Sequence, residues 1–467
     1  MFPCHLPVLT STLGLDRERM GAKLFDACFH YILAQAHQHK LWGTKGDRWL
    51  IDSFHTYANA VKMGTYRLVF HGMLNIVQHL KRAHRPLFNR LKQTLNVSSW
   101  FKKLPASSTP EERGAQFSQL VARAYALLTW FESDGTHPFF WGWEDGKKQL
   151  RSLELQAILY KILLQNTRQK QADPKEQGVS KDETSTANTA YEKIPKTERP
   201  ADRIENAHDP DVRSGNKSPT KRFTGDKCQV VQEDNSQMIV DIEPIPGNEH
   251  DGQALERMVG KIIETHGIVP PEIVGDSHYG GASNRLAMQE KHLDLRAPIP
   301  NFVNTRGLLS NNVFTYDELS CSVTCPAGKS TTRRNRTEHP GGYRYIFKAA
   351  VCKSCPLFKE CTKSNKGRTI FISNHYKLMQ EAETYNGTEA GMAALQSRNK
   401  IERTNHELAN HHGLRNPRTR NRDNLRTTAK LKGMAINVKL MIKNLGKAVT
   451  DPFVRYPRTK KIASLCS

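Results

Sequence analysis

At 467 residues the chain is long enough for two or three domains, each with a core of its own. Only 37% of it is hydrophobic, low for a single tight globule, which implies polar linkers or wide wetted surfaces. Lys and Arg number 69 against 46 Asp and Glu, a net charge of +23. Such self-repulsion gives a merely soluble protein nothing, so a polyanionic partner is the economical explanation. Apolar runs are broken by Lys, Arg or His well before the roughly 18 residues a membrane span needs, so no membrane contact is expected. The opening MFPCHLPVLTSTLGLDRERM has neither a basic leader nor a continuous apolar stretch, so no signal peptide is expected. Five of the nine cysteines crowd between Cys321 and Cys361. A disulfide framework would spread its pairs through a small secreted domain, whereas a local cluster in a large basic chain fits reduced thiols or a metal site.

In chain order, residues 16–41 read as an amphipathic helix within an N-terminal helical segment, 1–44. The run WLI then ends in Asp52, the pattern of a short buried strand within 45–56. Residues 57–166 have helical periodicity, as in RGAQFSQLVARAYALLTWF, and form an all-helical insertion. Residues 167–202 hold almost no large apolar side chain and cannot bury enough surface to offset their ordering entropy, so they read as a flexible linker. From 203 to 304 the signals alternate: strands at Lys227–Gln232 and Met238–Ile245, a helix at Asp251–Thr265, a strand at Ile273–Gly275, a helix at Asn284–Lys291 and a strand at Leu295–Ile299. That order gives an α/β core. A cysteine-rich insertion interrupts it at 305–368. Thr369–Ile372 is strand-like, and 389–411 and 424–445 read as helices within a closing segment, 369–450, ahead of a basic tail, 451–467.

No phosphate-binding glycine loop, dinucleotide fingerprint or nucleophile elbow is present. His406-Glu407-Leu408-Ala409-Asn410-His411 imitates a zinc-protease helix, but its second His stands at i+5, where a regular α-helix turns the two rings apart. The remaining candidates are carboxylates at element ends. Asp52 follows WLI, Asp276 follows EIVG, and ligands of open α/β sheets gather beyond the carboxyl ends of strands. Asp is common in turns after strands, and Arg398 with Glu402 has the i,i+4 spacing of an ordinary surface pair, so each residue alone is weak evidence. Together, in so basic a chain, two strand-end Asp and a helical Glu make an oxygen-only set for divalent metal and phosphoryl transfer.

The stretches FTGDKCQVVQED, IVDIEPIPGNEHDGQAL, EIVGDSHYGGASNRLAM and SRNKIERTNHELANHHGLRNPR resemble the DDE transposases of bacterial insertion sequences. Arg398-x3-Glu402 has the spacing found around that family's catalytic Glu, and IDSFHTYANAVKMGTYRL is similar to the first-Asp segment of the subgroup with a helical insertion. The resemblance covers most of residues 45–445. It implies a ribonuclease H-like mixed-sheet core, carrying the helical and cysteine-rich insertions, with Asp52, Asp276 and Glu402 as the catalytic, Mg2+- or Mn2+-binding residues. Asp209 and Asp211 in NAHDPD are rivals for the first position, but no apolar run precedes them, so Asp52 is preferred.

The resemblance also implies cleavage at transposon ends, strand transfer into target DNA, a homodimer in the synaptic complex and a cytoplasmic, nucleoid-associated site of action. Arg398 and the run Arg415, Arg418, Arg420 and Arg422 are the candidate DNA contacts. Cys325, Cys352, Cys355 and Cys361 supply four thiolates for one structural Zn2+, and relatives share this CPxG…CxxCP…C arrangement. The chain departs from the family at Ala409, where Lys or Arg is usual, and at Asp226, where Tyr is usual. Less sequence precedes Asp52 than relatives carry, so the N-terminal segment is expected to be the remainder of a longer one. The alternative reading is a catalytically decayed transposase acting only as a basic, zinc-containing DNA-binding protein.

Overall fold

The computed structural model describes residues 10–43, 47–101, 109–133, 142–143, 145–170, 190–218, 220–300, 307–339 and 341–450, with backbone alone for 10–20 and 446–450. The basic tail and most of the proposed linker, 171–189, lie outside the described residues.

The chain opens with α1 (Thr10–Gln38), longer than the expected 16–41 at its start and turned at Gly21 by a left-handed backbone (φ 64°). Then comes β1 (Trp49–His55), whose Trp49, Leu50 and Ile51 are all buried. A run apolar on consecutive residues cannot serve a strand with one wet face; it marks a strand covered on both sides. Four helices follow: α2 (Thr65–Ala83), α3 (Arg85–Leu95), α4 (Pro110–Glu132) and α5 (Gly146–Asn166). Their starts carry the expected signals. Thr109 and Glu112 cap α4 reciprocally, with Pro110 at its first position. They enclose an apolar core of their own, built on Met73, Ile76, Leu120, Leu127, Leu159 and Ile162.

The ends of the proposed linker are not free. β2 (Thr167–Gln169) and β3 (Tyr191–Lys193) pair antiparallel, and Arg168 bonds Glu192 and Glu198 at 2.7 and 2.9 Å. Backbone pairing holds the two ends together without needing the apolar side chains whose lack suggested a linker.

The core continues with β4 (Arg213–Asn216), β5 (Arg222–Glu233), β6 (Ile239–Pro246), α6 (Asp251–His266), β7 (Glu272–Val274), α7 (Ala282–Glu290) and β8 (Asp294–Arg296). β1 is central in this sheet. It pairs antiparallel with β5 and parallel with β7; β8 continues parallel beyond β7, while β6 and β4 pair antiparallel with β5. The fold is therefore a mixed α/β sheet with helices packed on it.

A smaller, strand-rich segment follows: β9 (Thr315–Asp317), β10 (Ser322–Thr324), β11 (Ser330–Thr331), β12 (Arg334–Thr337), β13 (Gly342–Ile346), α8 (Ala349–Lys353), α9 (Phe358–Cys361) and β14 (Thr369–Ser373). It makes two three-stranded sheets, β11-β10-β9 and β12-β13-β14, around a small core of Phe314, Val323, Tyr345, Phe347 and Ile370. Four helices close the chain: α10 (Tyr376–Asn386), α11 (Glu389–Gln396), α12 (Asn399–His406) and α13 (Arg422–Thr450). α12 lies against β1, and α13 lies on β6 beside α1.

Burial of α13 on the sheet is not purely apolar. Lys430, 1% exposed, is ion-paired with the fully buried Asp241 and, at 2.9 Å, with Asp26 of α1.

Candidate functional site

The apolar run of β1 ends at Asp52, opposite Val230 of β5. On its other side β1 pairs with β7 as Trp49↔Ile273 and Leu50↔Val274; carried two residues further, this register sets Asp52 level with Asp276. β7 stops at Val274. A Cβ on Gly275 would meet Tyr279 at 2.8 Å and Ile51 at 3.1 Å, so only glycine lets the buried Tyr279 fold back over the strand end. Asp276 then closes a tight turn. One carboxylate oxygen accepts the His278 backbone N–H at 2.8 Å, the other meets the His278 ring at 3.0 Å, and its carbonyl accepts the Tyr279 N–H at 3.1 Å.

α12 supplies the third side. Its buried face carries Ile401, Thr404 and Asn405, and Asn405 Nδ2 donates to Asp52 Oδ2 at 3.0 Å. Asn405 Oδ1 is buried without a hydrogen-bond partner among the described residues. Arg398, at the head of the helix, acts electrostatically on both Asp52 and Asp276 and stands 3.6 Å from Glu402. Glu402 is about half exposed, on the rim of this group, and reaches it through Arg398.

The two aspartates differ in charge state. Burial, with the neighbouring Asp276 carboxylate adding to it, pushes Asp52 up to about 6 against the pull of its backbone hydrogen bond, Arg398 and Asn405. Burial also raises Asp276, but the His278 hydrogen bonds and Arg398 outweigh it and hold that carboxyl below its ordinary value.

The rivals lie elsewhere. Asp209 and Asp211 neighbour Asp226, at the far end of β5's pairing with β1, and Arg422 closes that group: its Nε donates to Asp226 at 2.9 Å, its backbone N–H to the Asp211 carboxylate at 3.1 Å and Nη2 to the Asp211 carbonyl at 2.6 Å. Of the other proposed DNA contacts, Arg415 donates to the His55 carbonyl at 2.7 Å, whereas Arg418 and Arg420 are exposed.

In the strand-rich segment, Cys325, Cys352, Cys355 and Cys361 line one cavity of about 30 Å3 with Phe314, Phe347 and Phe358. Burial raises the Cys361 thiol, and the other three cysteines add to the rise against the opposing pull of Arg368. Cys321 stands outside this cavity, its Sγ 3.5 Å from the Glu318 carbonyl. The donors are thus gathered without being drawn in: among the described residues no group of three or more His, Cys, Asp or Glu side chains stands ready to hold a metal ion, at the carboxylates or at the thiols.

One expectation needs correcting. His406 and His411 do not face apart. Helix α12 widens into a π-turn at Glu407–His411, where i+5 replaces i+4, and the two rings meet edge-on with centroids 5.5 Å apart. Sequence reasoning also missed Asn405 and His278. The first was detectable as Glu402+3, one helical turn on and on the same face; the second, two residues after a strand-end Asp, carried no distinguishing signal.

Residues 324–442 match the family model of the transposase DDE domain, which bears out the resemblance read from the sequence. The match takes in the cysteine cluster, Glu402 and most of α13; the strands that carry Asp52 and Asp276 lie ahead of it. Among curated proteins, none matches this chain. No described helix is long and apolar enough to cross a membrane.

Proposed function

We propose, with the transposase DDE domain as premise, that this chain cuts DNA at transposon ends and joins the freed 3′-hydroxyl to target DNA. The observation that carries this reading is the pair Asp52, on β1, and Asp276, just past the end of the parallel strand β7, faced by the Arg398–Glu402 helix. The strand order supports a ribonuclease H-like core: three antiparallel strands, β6, β5 and β1, then two parallel ones, β7 and β8.

The donor chemistry fits divalent metal. Asp52, Asp276 and Glu402 offer carboxylate oxygens, and Asn405 an unpartnered amide oxygen. These carboxylates would hold Mg2+ or Mn2+. Such ions, when bound, supply the charge that activates a hydroxyl and stabilises a leaving oxygen. The chain's own part is positional. Asn405 fixes the Asp52 carboxylate, the His278 turn fixes Asp276, and Arg398 places a cation beside both aspartates. The four thiols fit one structural Zn2+ by their softness and number. DNA is the partner, and synapsis of two ends calls for a homodimer.

The test is cleavage of a labelled duplex carrying the element's own ends, with Mg2+. Asp276→Asn and Asp52→Asn should each lose on the order of 10³-fold in rate, the several kcal/mol that metal-borne charge stabilisation is worth. Asp209→Asn should retain activity. A parent chain that binds the ends but never cuts them, under any divalent metal, would establish the alternative of a decayed DNA-binding protein.

A further inference from the structure

The strand-rich segment carries its positive charge in an unusual state. Residues 307–373 hold eleven Lys and Arg against four Asp and Glu. Between Ala297 and Ser397, none of the described Lys or Arg is ion-paired with a carboxylate, although ion pairs occur on both sides of this stretch.

Some of these cations serve the segment itself. Arg368 donates to the carbonyls of Cys361 and Leu309, and Arg334 lies 4.2 Å from the Tyr343 ring centroid and donates to the Tyr345 hydroxyl. Others do not. The β12-β13-β14 sheet has two faces. Tyr343, Tyr345, Ile370 and Ile372 point into the small core. Strand alternation sends Arg344, with its cross-strand neighbours Asn335 and Phe371, to the opposite face. The Ile346 N–H donates to the Arg333 carbonyl at 2.8 Å, which extends the ladder and brings Arg333 onto that same face. Arg333 and Arg344 are exposed, and neither guanidinium has a hydrogen-bond or ion-pair partner among the described residues.

Cations on an edge strand commonly serve to block strand-to-strand aggregation, and Arg333 on the β12 edge would satisfy that need. Arg344 would not. It lies on β13, the middle strand, whose edges are already paired, and no carboxylate stands across from it.

We infer that this sheet face is a docking surface for the sugar–phosphate backbone of duplex DNA. The inference rests on the transposase reading for its partner and deepens it by naming where that partner lies. Diagonal positions in a sheet stand roughly 7–8 Å apart, a spacing that corresponds to about two phosphates of one strand. Between and beside them are an amide, Asn335, and the hydroxyls of Thr337 and Ser373, the donor types that contact backbone rather than base edges. A platform for single strands would need several aromatics in a row, and this face has Phe371 alone.

The test uses the full chain and a short random-sequence duplex, with affinity measured by fluorescence anisotropy between about 50 and 200 mM salt. R333Q/R344Q should weaken binding by at least roughly tenfold and flatten the log–log salt slope by about two units. The charge-matched K147Q/K161Q, on the exposed face of α5, should leave the slope unchanged. Unchanged thermal unfolding of both variants excludes a folding defect. Equal slopes for R333Q/R344Q and the parent, or an equal drop in both variants, would remove this face from the interface. A parent that prefers a single strand, and loses that preference in F371A, would overturn the duplex assignment. These results are separable from the wider reading: a parent with no DNA affinity fails as a transposase, whereas one that cuts through Asp276 but ignores R333Q/R344Q fails only here.

Discussion

In the sheet core, Lys430 is sealed against Asp241 and Asp26, Arg426 against Glu243, Lys400 against Asp234 and Arg422 against Asp226. In the β9–β14 segment, the side chains of Arg333, Arg336 and Arg344 end in solvent with no described carboxylate beside them. Both regions are rich in cations, but these four core cations hold elements together, while Arg333, Arg336 and Arg344 remain available to a partner. Net charge therefore does not locate a polyanion surface. The ion pairs must be subtracted first, and Arg333, Arg336 and Arg344 are among the cations that remain.

The sharpest way to break this contrast is at Lys430. Lys430→Met leaves Asp241 buried and unpaired, and should cost about 3–5 kcal/mol of stability in urea unfolding. Adding Asp241→Leu removes the stranded charge and should restore most of it. A single variant that loses under about 1 kcal/mol would mean that the core's cations are as dispensable as a surface pair.

The segment should break differently. Its apolar core is small, so its stability should depend on the thiols: C352A/C355A, or a zinc chelator, should lower local protection by about 2–3 kcal/mol. Amide hydrogen exchange would then accelerate roughly 100-fold across 307–373 and stay unchanged in α13 and β6. Uniform acceleration throughout the chain would show that the two regions unfold as one.

The smallest expected effect is in acid. Burial, with Asp209 and Asp211 nearby, raises Asp226 to about 6 despite Arg422, so its folded value lies above its unfolded one near 3.8. Stability from this group is complete below about 4 and is lost as pH rises to about 6. Asp26 and Asp241 have the opposite sign: both are held below their ordinary value, burial being outweighed by His30 and Lys430 at Asp26 and by Lys430 and Lys261 at Asp241, so their contribution is present at neutral pH and lost below about 4. Asp226→Asn should accordingly remove about 1–2 kcal/mol of decline between pH 4 and 6 while sparing the collapse at lower pH. A parent whose urea midpoint is flat from pH 4 to 6 would contradict the raised Asp226.

Much of the candidate site's local setting was legible because its signals are local. WLI before Asp52 reports a strand buried on both faces, and Arg398 and Glu402 sit one helical turn apart whatever surrounds them. The strand–helix alternation from Lys227 to Arg296 likewise follows from hydrophobic period. What was not legible depends on partners distant in sequence. Arg415 and Arg422 look identical to Arg418 and Arg420 in GLRNPRTRNR, yet the first donates to His55, 360 positions away, and the second to Asp226, 196 away. The meeting of His406 and His411 required a π-turn, which no residue pattern in that helix announced.

The bond from Asn405 to Asp52 joins residues 353 positions apart, and this separation gives the site a timetable. A chain made at about 5–20 residues per second exposes Asp52 roughly 20–70 s before the helix that closes over it. Until β5 and β7 arrive, β1 has two open edges, and its three large apolar side chains lack most of the core that surrounds them in the finished fold. Nascent or prematurely terminated chains therefore carry the first carboxylate without the rest of its setting. The setting of Asp52 is thus complete only once synthesis has passed Asn405.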